Sequence, residues 1–376
     1  MRHLFPALKR FAYLNAAASS PVATPVAEAA IAQLRESVEE ADVRFPRWLE
    51  FKEALRGRLA RFIGATASQV AFTPSTSMGF NAVAELLWRR GVRTVLTLES
   101  EFPSTTVPLL ARGLKLKVVK AQPDGSYRVD DLEGGEAVAL SAVQFGSGFA
   151  IDLPAVVAHC RARKVPLAVN VAQALGQVPI DVGGFDFMCG TSHKWMMGGY
   201  GTGLFYVREG WLEEHGLPWA GWFSPPDALR WQTFPGCTWQ GDVAQGAALR
   251  PQAAALEAGG GHWPALYSFG AALELIEQAG VANIHAHNLK LQRVLREGLT
   301  QRGFRPNAPL MTGICVVRVD GNPADAVRAL FAEGVVVTPR AGGVRLSTHV
   351  FNDASDVQRA LEAIDRVKLR PAPHGS

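Results

Sequence analysis

Between residues 70 and 207, short apolar runs alternate with stretches of helical spacing, and no other feature limits the chain's fold as strongly. Runs at 70–72, 94–97, 115–120, 137–143, 166–171, 185–188 and 203–207 predict strands. Helical spacing predicts helices over 79–88, 105–112 and 153–163 between them. Apolar strands separated by helices of about ten residues build βαβ units, and these close into a mainly parallel sheet covered on both faces. Two helices precede this region, at 27–38 and 48–62, after a short extended start at Tyr13-Leu14-Asn15. Residues 210–263 are dense in Gly, Pro and Trp and read as a long loop-rich connection. Helices at 265–279 and 281–299 follow, and the remainder alternates strand and helix (313–319, 324–332, 335–338, 344–347, 354–367). The expected organisation is α/β: a large domain at 21–265, a smaller α+β domain at 266–376, and residues 1–20 packing with the smaller one.

Hydrophobic residues form 48% of the 376 and charged residues 19%, enough apolar material for a buried core and too much for general disorder. The net charge of +4 is scattered, so nucleic acid is not an expected partner. Cys160, Cys189, Cys237 and Cys315 are widely spaced, and the nine histidines form no HExxH-like pair; neither a disulfide framework nor a metal site is expected. No run approaches the roughly 20 apolar residues that span a bilayer, and no signal peptide is read at the start. A cytoplasmic protein without membrane association is therefore expected.

The most informative stretch is AVNVAQALGQVPIDVGGFDFMCGTSHKWMMGGYGTGLFYV, residues 168–207. A strand ends at Asn170, and a second runs into Thr191-Ser192-His193-Lys194 before Gly-rich turns. A lysine just beyond a buried strand sits where desolvation lowers its pKa and makes it a nucleophile toward carbonyls. By spacing alone, most such lysines simply point to solvent. Gly199-x-Gly201-x-Gly203 precedes a strand instead of linking strand to helix, so it is not a dinucleotide loop.

This segment resembles the class-V aminotransferase family of pyridoxal-phosphate enzymes (fold type I), which includes cysteine desulfurases, kynureninases and isopenicillin-N epimerase-like proteins. The family pattern is an acidic residue, a Gln three positions on, then Ser/Thr-x-His-Lys and a Gly-rich turn; here these are Asn170, Gln173, Thr191, His193, Lys194 and 198–203. Tyr13-Leu14-Asn15-Ala16-Ala17 resembles the family's N-terminal signature, and FTPSTSMGFN at 72–81 resembles its phosphate-holding strand–turn–helix. Taken alone, Ser75-Thr76-Ser77 reads equally well as an ordinary helix cap. Glu101-Phe102-Pro103-Ser104 is similar to the E-F-P-[ST] element of the kynureninase and epimerase branches, and RAGGVRLSTHVFN at 340–352 is similar to the closing element.

The resemblance implies fold type I, with a mainly parallel seven-stranded sheet, and pyridoxal 5'-phosphate as cofactor. It implies Lys194 as Schiff-base lysine and acid/base at the substrate α-carbon, and His193 near the ring. Gln173 would meet the phenolic oxygen, Ser75, Thr76, Ser77 and Thr191 the phosphate, and Phe102 the ring face, although Phe102 alone also reads as core. Arg345 would hold the substrate carboxylate, joined by Asn15, and the protein would be a homodimer with active sites at the subunit interface. The implied substrate is an amino acid or related amine, with transamination, epimerisation and a lyase reaction all open.

Three departures stand out. Asn170 replaces the aspartate that faces the ring nitrogen, and a neutral amide cannot stabilise a pyridinium by charge. Gly260 stands where the family carries a threonine that reaches the partner subunit's phosphate. No cysteine lies between Arg340 and Arg345, which argues against cysteine desulfuration. The alternative to an enzyme is a degenerate member serving as a binding or scaffold module. The Trp-rich region from Trp211 to Trp239 reads as either a substrate pocket or a dimer contact.

Overall fold

In a computed structural model that describes residues 1–225, 249–307 and 309–373, the predicted alternation folds into one large sheet. Its strands are β2 (Val70–Thr73), β3 (Thr94–Leu98), β4 (Lys115–Val119), β5 (Ala137–Ser141), β6 (Leu167–Asn170), β7 (Phe187–Thr191) and β8 (Gly203–Val207). They lie in the order β2-β8-β7-β6-β5-β3-β4, and β8 alone runs antiparallel to its neighbours. This is the mainly parallel seven-stranded sheet that the resemblance implied.

Side-chain alternation explains why both sheet faces are apolar. Val138, Leu140, Leu167, Val169 and Met188 pack into one core, while Ala137, Ala139, Ala168, Phe187 and Cys189 pack into the other. The helices α3 (Thr76–Arg89), α4 (Pro103–Ala111) and α5 (Leu153–Arg163) supply the crossovers. Gly79 of α3 is needed for this closeness: a Cβ there would lie 2.8 Å from the Cys189 sulfur. The parallel arrangement brings the C-terminal ends of β5, β6 and β7 to one edge, where α/β folds place their ligands.

A third core holds the smaller part together. It contains β9 (Ile314–Val317), β11 (Thr338–Arg340) and β12 (Gly343–Ser347) as an antiparallel sheet in the order β11-β12-β9. The N-terminal strand β1 (Ala12–Tyr13) pairs in parallel with β10 (Val335–Val336), and Ala12 and Leu14 lie in this third core. Phe5, Leu8, Ala16 and Ala17 instead join the large core, so the segment touches both parts. The helix α7 (Trp263–Ala279), most of which falls after the expected boundary at residue 266, buries Leu266, Phe269, Leu273 and Ile276 in the large core, packed on α1 (Thr24–Glu40).

Two details differ from expectation. The strand expected at 185–188 runs over Phe187–Thr191, because Phe185 closes a turn with its N–H on the Val182 carbonyl. The loop-rich stretch contains a short helix, α6 (Trp211–His215), and residues 226–248, including Trp231, Cys237 and Trp239, lie outside the described residues. Among the described residues no helix is long and apolar enough to cross a membrane.

Candidate functional site

The His-Lys segment follows β7 directly. Thr191 Oγ1 shares a hydrogen bond of 2.7 Å with His193 Nδ1, and the His193 ring stacks on Tyr200 with centroids 4.2 Å apart. Burial, with the Lys194 charge beside it, pushes the His193 imidazole down to about 4, so the ring is neutral at physiological pH. The Ser192 hydroxyl donates to the carbonyls of Gly199 and Thr202, which folds the Gly-rich turn back onto the segment. Gly203 is required there: a Cβ would lie 2.4 Å from the Gly190 carbonyl oxygen.

Lys194 is partly buried, and its amine lies 5.2 Å from the centre of the Phe102 ring. Its pKa falls to about 8, first through desolvation and then through repulsion from Arg345 and Arg340. Arg345 is 2% exposed on β12, donates to the Phe145 carbonyl at 2.9 Å, and keeps its buried Nε without a partner. Burial and Arg340 push the guanidinium down to about 9. Among the described residues neither Lys194 nor Arg345 forms an ion pair. A buried cation without an ion partner, as Arg345 is among the described residues, is expensive, and an anion beside it would lower that cost.

The register places Arg340 on the same face as Arg345. Arg345 lies opposite Thr338, and Arg340 is two residues along the same strand. Asn15 bridges to Ser347 on β12, and its buried Oδ1 has no partner. Phe102 is 36% exposed, with its ring at 5.2 Å and 81° to Phe145. It borders the site instead of filling a core.

At the start of α3, Ser75 acts as the cap: its Oγ accepts from the Met78 N–H at 3.3 Å. The first-turn N–H groups of Thr76 and Ser77 then remain at the open helix end, which carries positive partial charge. Across the sheet, Thr73 pairs with Gly203 and Gly203 with Thr191, so Thr191 and the α3 terminus share one edge. Glu257 locks the 257–262 loop beside them. Its carboxylate is buried, pairs with Lys52 at 3.1 Å and with Arg56, and accepts from the Phe72 N–H at 2.7 Å. These partners hold it below the usual carboxylate range against the cost of burial. A cavity of about 340 Å3 opens here, bounded by Thr73, Pro74, Thr202, Glu257 and Gly261; Gly260 lies in this loop against Trp263 and Phe45.

Gln173 bridges two segments: its Nε2 donates to the Ala17 carbonyl at 2.8 Å, and its Oε1 accepts from Trp195 Nε1 at 2.8 Å. Asn170 is buried, with Oδ1 accepting from the Ala172 N–H at 2.9 Å and Nδ2 donating to Thr105 Oγ1 at 2.8 Å. Asp186 accepts from the Leu167 N–H and from Trp211 Nε1, at the opposite end of β6, so it does not stand in for the missing aspartate. Sequence reasoning missed Thr105, Phe145 and Tyr200. Thr105 follows the quoted E-F-P-S element directly and was the most findable. Cys160, Cys189 and Cys315 are buried thiols whose pKa values burial raises, and no cluster of three His, Cys, Asp or Glu residues suited to a metal occurs among the described residues.

A family model, aminotransferase class-V, matches residues 12–360. An uncharacterized aminotransferase of Bacillus subtilis is 25% identical, with 96% of each chain covered. The cysteine desulfurase of Thermococcus onnurineus has the same fold, with a TM-score of 0.86 at 22% identity over 97% of this chain and 96% of that one. A C-DES structure, in which glycine is covalently linked to the PLP cofactor, gives a TM-score of 0.84 at 20% identity over 96% of this chain and 98% of that one.

Proposed function

This chain belongs to the class-V aminotransferase family, and from that premise we propose that it is a pyridoxal 5'-phosphate-dependent enzyme acting at the α-carbon of an amino acid through Lys194. The observation that carries the proposal is the pair of cations, partly buried Lys194 and buried Arg345, which repel each other and have no ion-pair partner among the described residues. The orphaned Arg345 Nε and Asn15 Oδ1, and the open N–H groups at the start of α3, are the polar groups that such a cofactor and its substrate would satisfy. When bound, the cofactor supplies a carbonyl that captures the substrate amine and an electron-poor ring that weakens the bonds at the α-carbon.

Each side chain then has a defined task. Lys194, lowered to about 8, is partly neutral near that pH and can attack a carbonyl and exchange a proton at the α-carbon. Arg345 grips the substrate carboxylate in its planar fork, with the Phe145 carbonyl already fixing one arm, and Asn15 adds a polar contact beside it. Thr76, Ser77 and Thr191 hold the phosphate, while Ser75 keeps the helix start in shape. Phe102 covers the ring, Gln173 meets the phenolic oxygen, and neutral His193 lies near the ring without adding charge. Asn170 donates a hydrogen bond to the ring nitrogen, and Gly260 offers its N–H toward a partner subunit's phosphate.

Transamination, epimerisation and lyase reactions share this first proton transfer, and the reading extends to that step. It is tested on the purified protein by its absorption spectrum, then by borohydride reduction and peptide mass spectrometry. A visible or near-ultraviolet cofactor band and an adduct on Lys194, lost in Lys194→Ala, are expected. An adduct on another lysine, or none, would sink the proposal.

A further inference from the structure

Trp195 directly follows Lys194, is fully buried, and has no part in the chemistry proposed above. Its one polar side-chain atom has a specific partner: Nε1 donates to Gln173 Oε1 at 2.8 Å. An indole N–H can only donate, so the Gln173 atom that faces it is the oxygen. At the other end of the same amide, Nε2 donates to the Ala17 carbonyl at 2.8 Å, and a carbonyl can only accept. The two contacts agree, and the Gln173 amide has one orientation. An amide nitrogen carries two protons, and among the described residues Nε2 gives one hydrogen bond, so its second N–H is uncommitted.

Trp195 is itself held from several segments. Its carbonyl accepts from His349 Nε2 at 2.9 Å, on a fully buried imidazole that burial pushes down to about 3. A carbonyl admits only a donor, so the neutral ring carries its proton on Nε2. Gly176 packs against the same peptide: a Cβ there would lie 2.5 Å from the Trp195 carbonyl oxygen. Gly313 makes room for the ring, where a Cβ would lie 3.0 Å from the indole Cη2.

We propose that Trp195 is a positioning residue that anchors the Gln173 amide so that its nitrogen, and not its oxygen, is offered to the phenolic oxygen of the cofactor. The inference rests on the reading above that Gln173 meets that oxygen. An anionic phenolic oxygen accepts and cannot donate, so an amide presented oxygen-first would repel it. Ala17 fixes the nitrogen end of the amide, and Trp195 fixes the oxygen end. Because Trp195 is the residue next to Lys194, the donor keeps its place relative to the lysine segment that would carry the cofactor.

The test is the pH titration of the visible cofactor band in the holoenzyme, with urea unfolding of the cofactor-free proteins as the control for folding. A donor at the phenolic oxygen favours its anionic form, so loss of the donor raises the titration midpoint. His193 and His349, held down to about 4 and about 3, do not titrate above about pH 6, and Lys194, Arg340 and Arg345 are present in every variant. Gln173→Ala should raise the midpoint by about one unit, a tenfold change in the equilibrium. Trp195→Phe, which keeps an aromatic ring and removes the N–H, should raise it by less. Added to Gln173→Ala, it should change nothing further. Trp195→benzothienylalanine, with sulfur in place of the N–H in a ring of the same shape, should reproduce that shift without loss of volume. A midpoint that moves in Gln173→Ala but stays at the wild-type value in both Trp195 variants, whatever their stability, would make Trp195 a packing residue and overturn the inference. An equal Trp195→Phe shift in the Gln173→Ala background would overturn it too, because the effect would not run through Gln173. An unmoved midpoint in Gln173→Ala would show that Gln173 does not meet the oxygen, and the reading of the site would fail together with the inference.

Discussion

Replacing Arg345 by methionine separates what the site does for substrate from what it does for the fold. The side chain is 2% exposed, and among the described residues its one hydrogen bond is the 2.9 Å contact to the Phe145 carbonyl. Desolvation and Arg340 pull its pKa to about 9, the mark of a charge held against its preference. Replacing a buried, uncompensated ion with an apolar side chain of similar length is commonly neutral or stabilising, by about 1–4 kcal/mol. Arg345→Met should therefore leave the cofactor-free protein at least as stable as wild type in urea unfolding. Substrate binding should move the other way. Truncating one partner of a buried charge pair costs about 2–5 kcal/mol, which at about 1.4 kcal/mol per decade weakens amino-acid affinity by roughly 30- to 4,000-fold. The assay is a titration of the holoenzyme with amino acids, followed by the cofactor band, which should itself be unchanged before addition. Unaltered amino-acid affinity, or equal loss of cofactor, would refute the assignment of Arg345 to the carboxylate. Marked destabilisation would refute the argument that its charge is held at a cost to the fold.

Three further outcomes are expected. Lys194 has a folded pKa of about 8 against an ordinary 10.5, so in the cofactor-free protein its burial penalty is full below pH 8 and is relieved as pH rises toward 10.5. Wild-type stability should accordingly gain on that of Lys194→Met by about 3 kcal/mol across this window, and a pH-independent difference would show that the amine is solvated. Asn170→Asp should bind cofactor fully and convert amino acids in the half-reaction faster than wild type, because a carboxylate raises the ring nitrogen's pKa; a rate no faster would contradict this. The exposed Ile31, Leu34 and Val38 on one side of α1 suit a subunit contact, and light scattering should give a homodimer. A stable mass near the 40.4 kDa of one chain would argue against it.

How much of this could be read from the residues alone depended on how local the controlling interactions are. The sheet strands were legible because strands covered on both faces are continuously apolar; Ala137–Ser141 and Phe187–Thr191 are buried at every position. The Ser/Thr-x-His-Lys motif was legible because its neighbours along the chain do its work: Thr191 holds His193 two residues on, and Ser192 pins the glycine turn. A local rule also decided Ser75, although only the structure chose capping for its hydroxyl.

Other properties belong to tertiary contact alone. Nothing in the order of segments places β2 beyond β8 at the sheet edge, because strand order is settled by which faces bury each other. Ser141 ends β5, Asn170 ends β6 and Glu101 lies in the loop between β3 and α4, and no spacing rule relates positions brought together by parallel pairing. The lowered pKa of Lys194 is likewise a tertiary property, since its causes are burial and arginines from the distant β11–β12 hairpin. The chain's residue types determined which chemical groups exist and which segments could be strands or helices. Folding decided which charges meet and how dry their surroundings are, because electrostatic energy depends on distance and solvation, and neither is set by position along the chain.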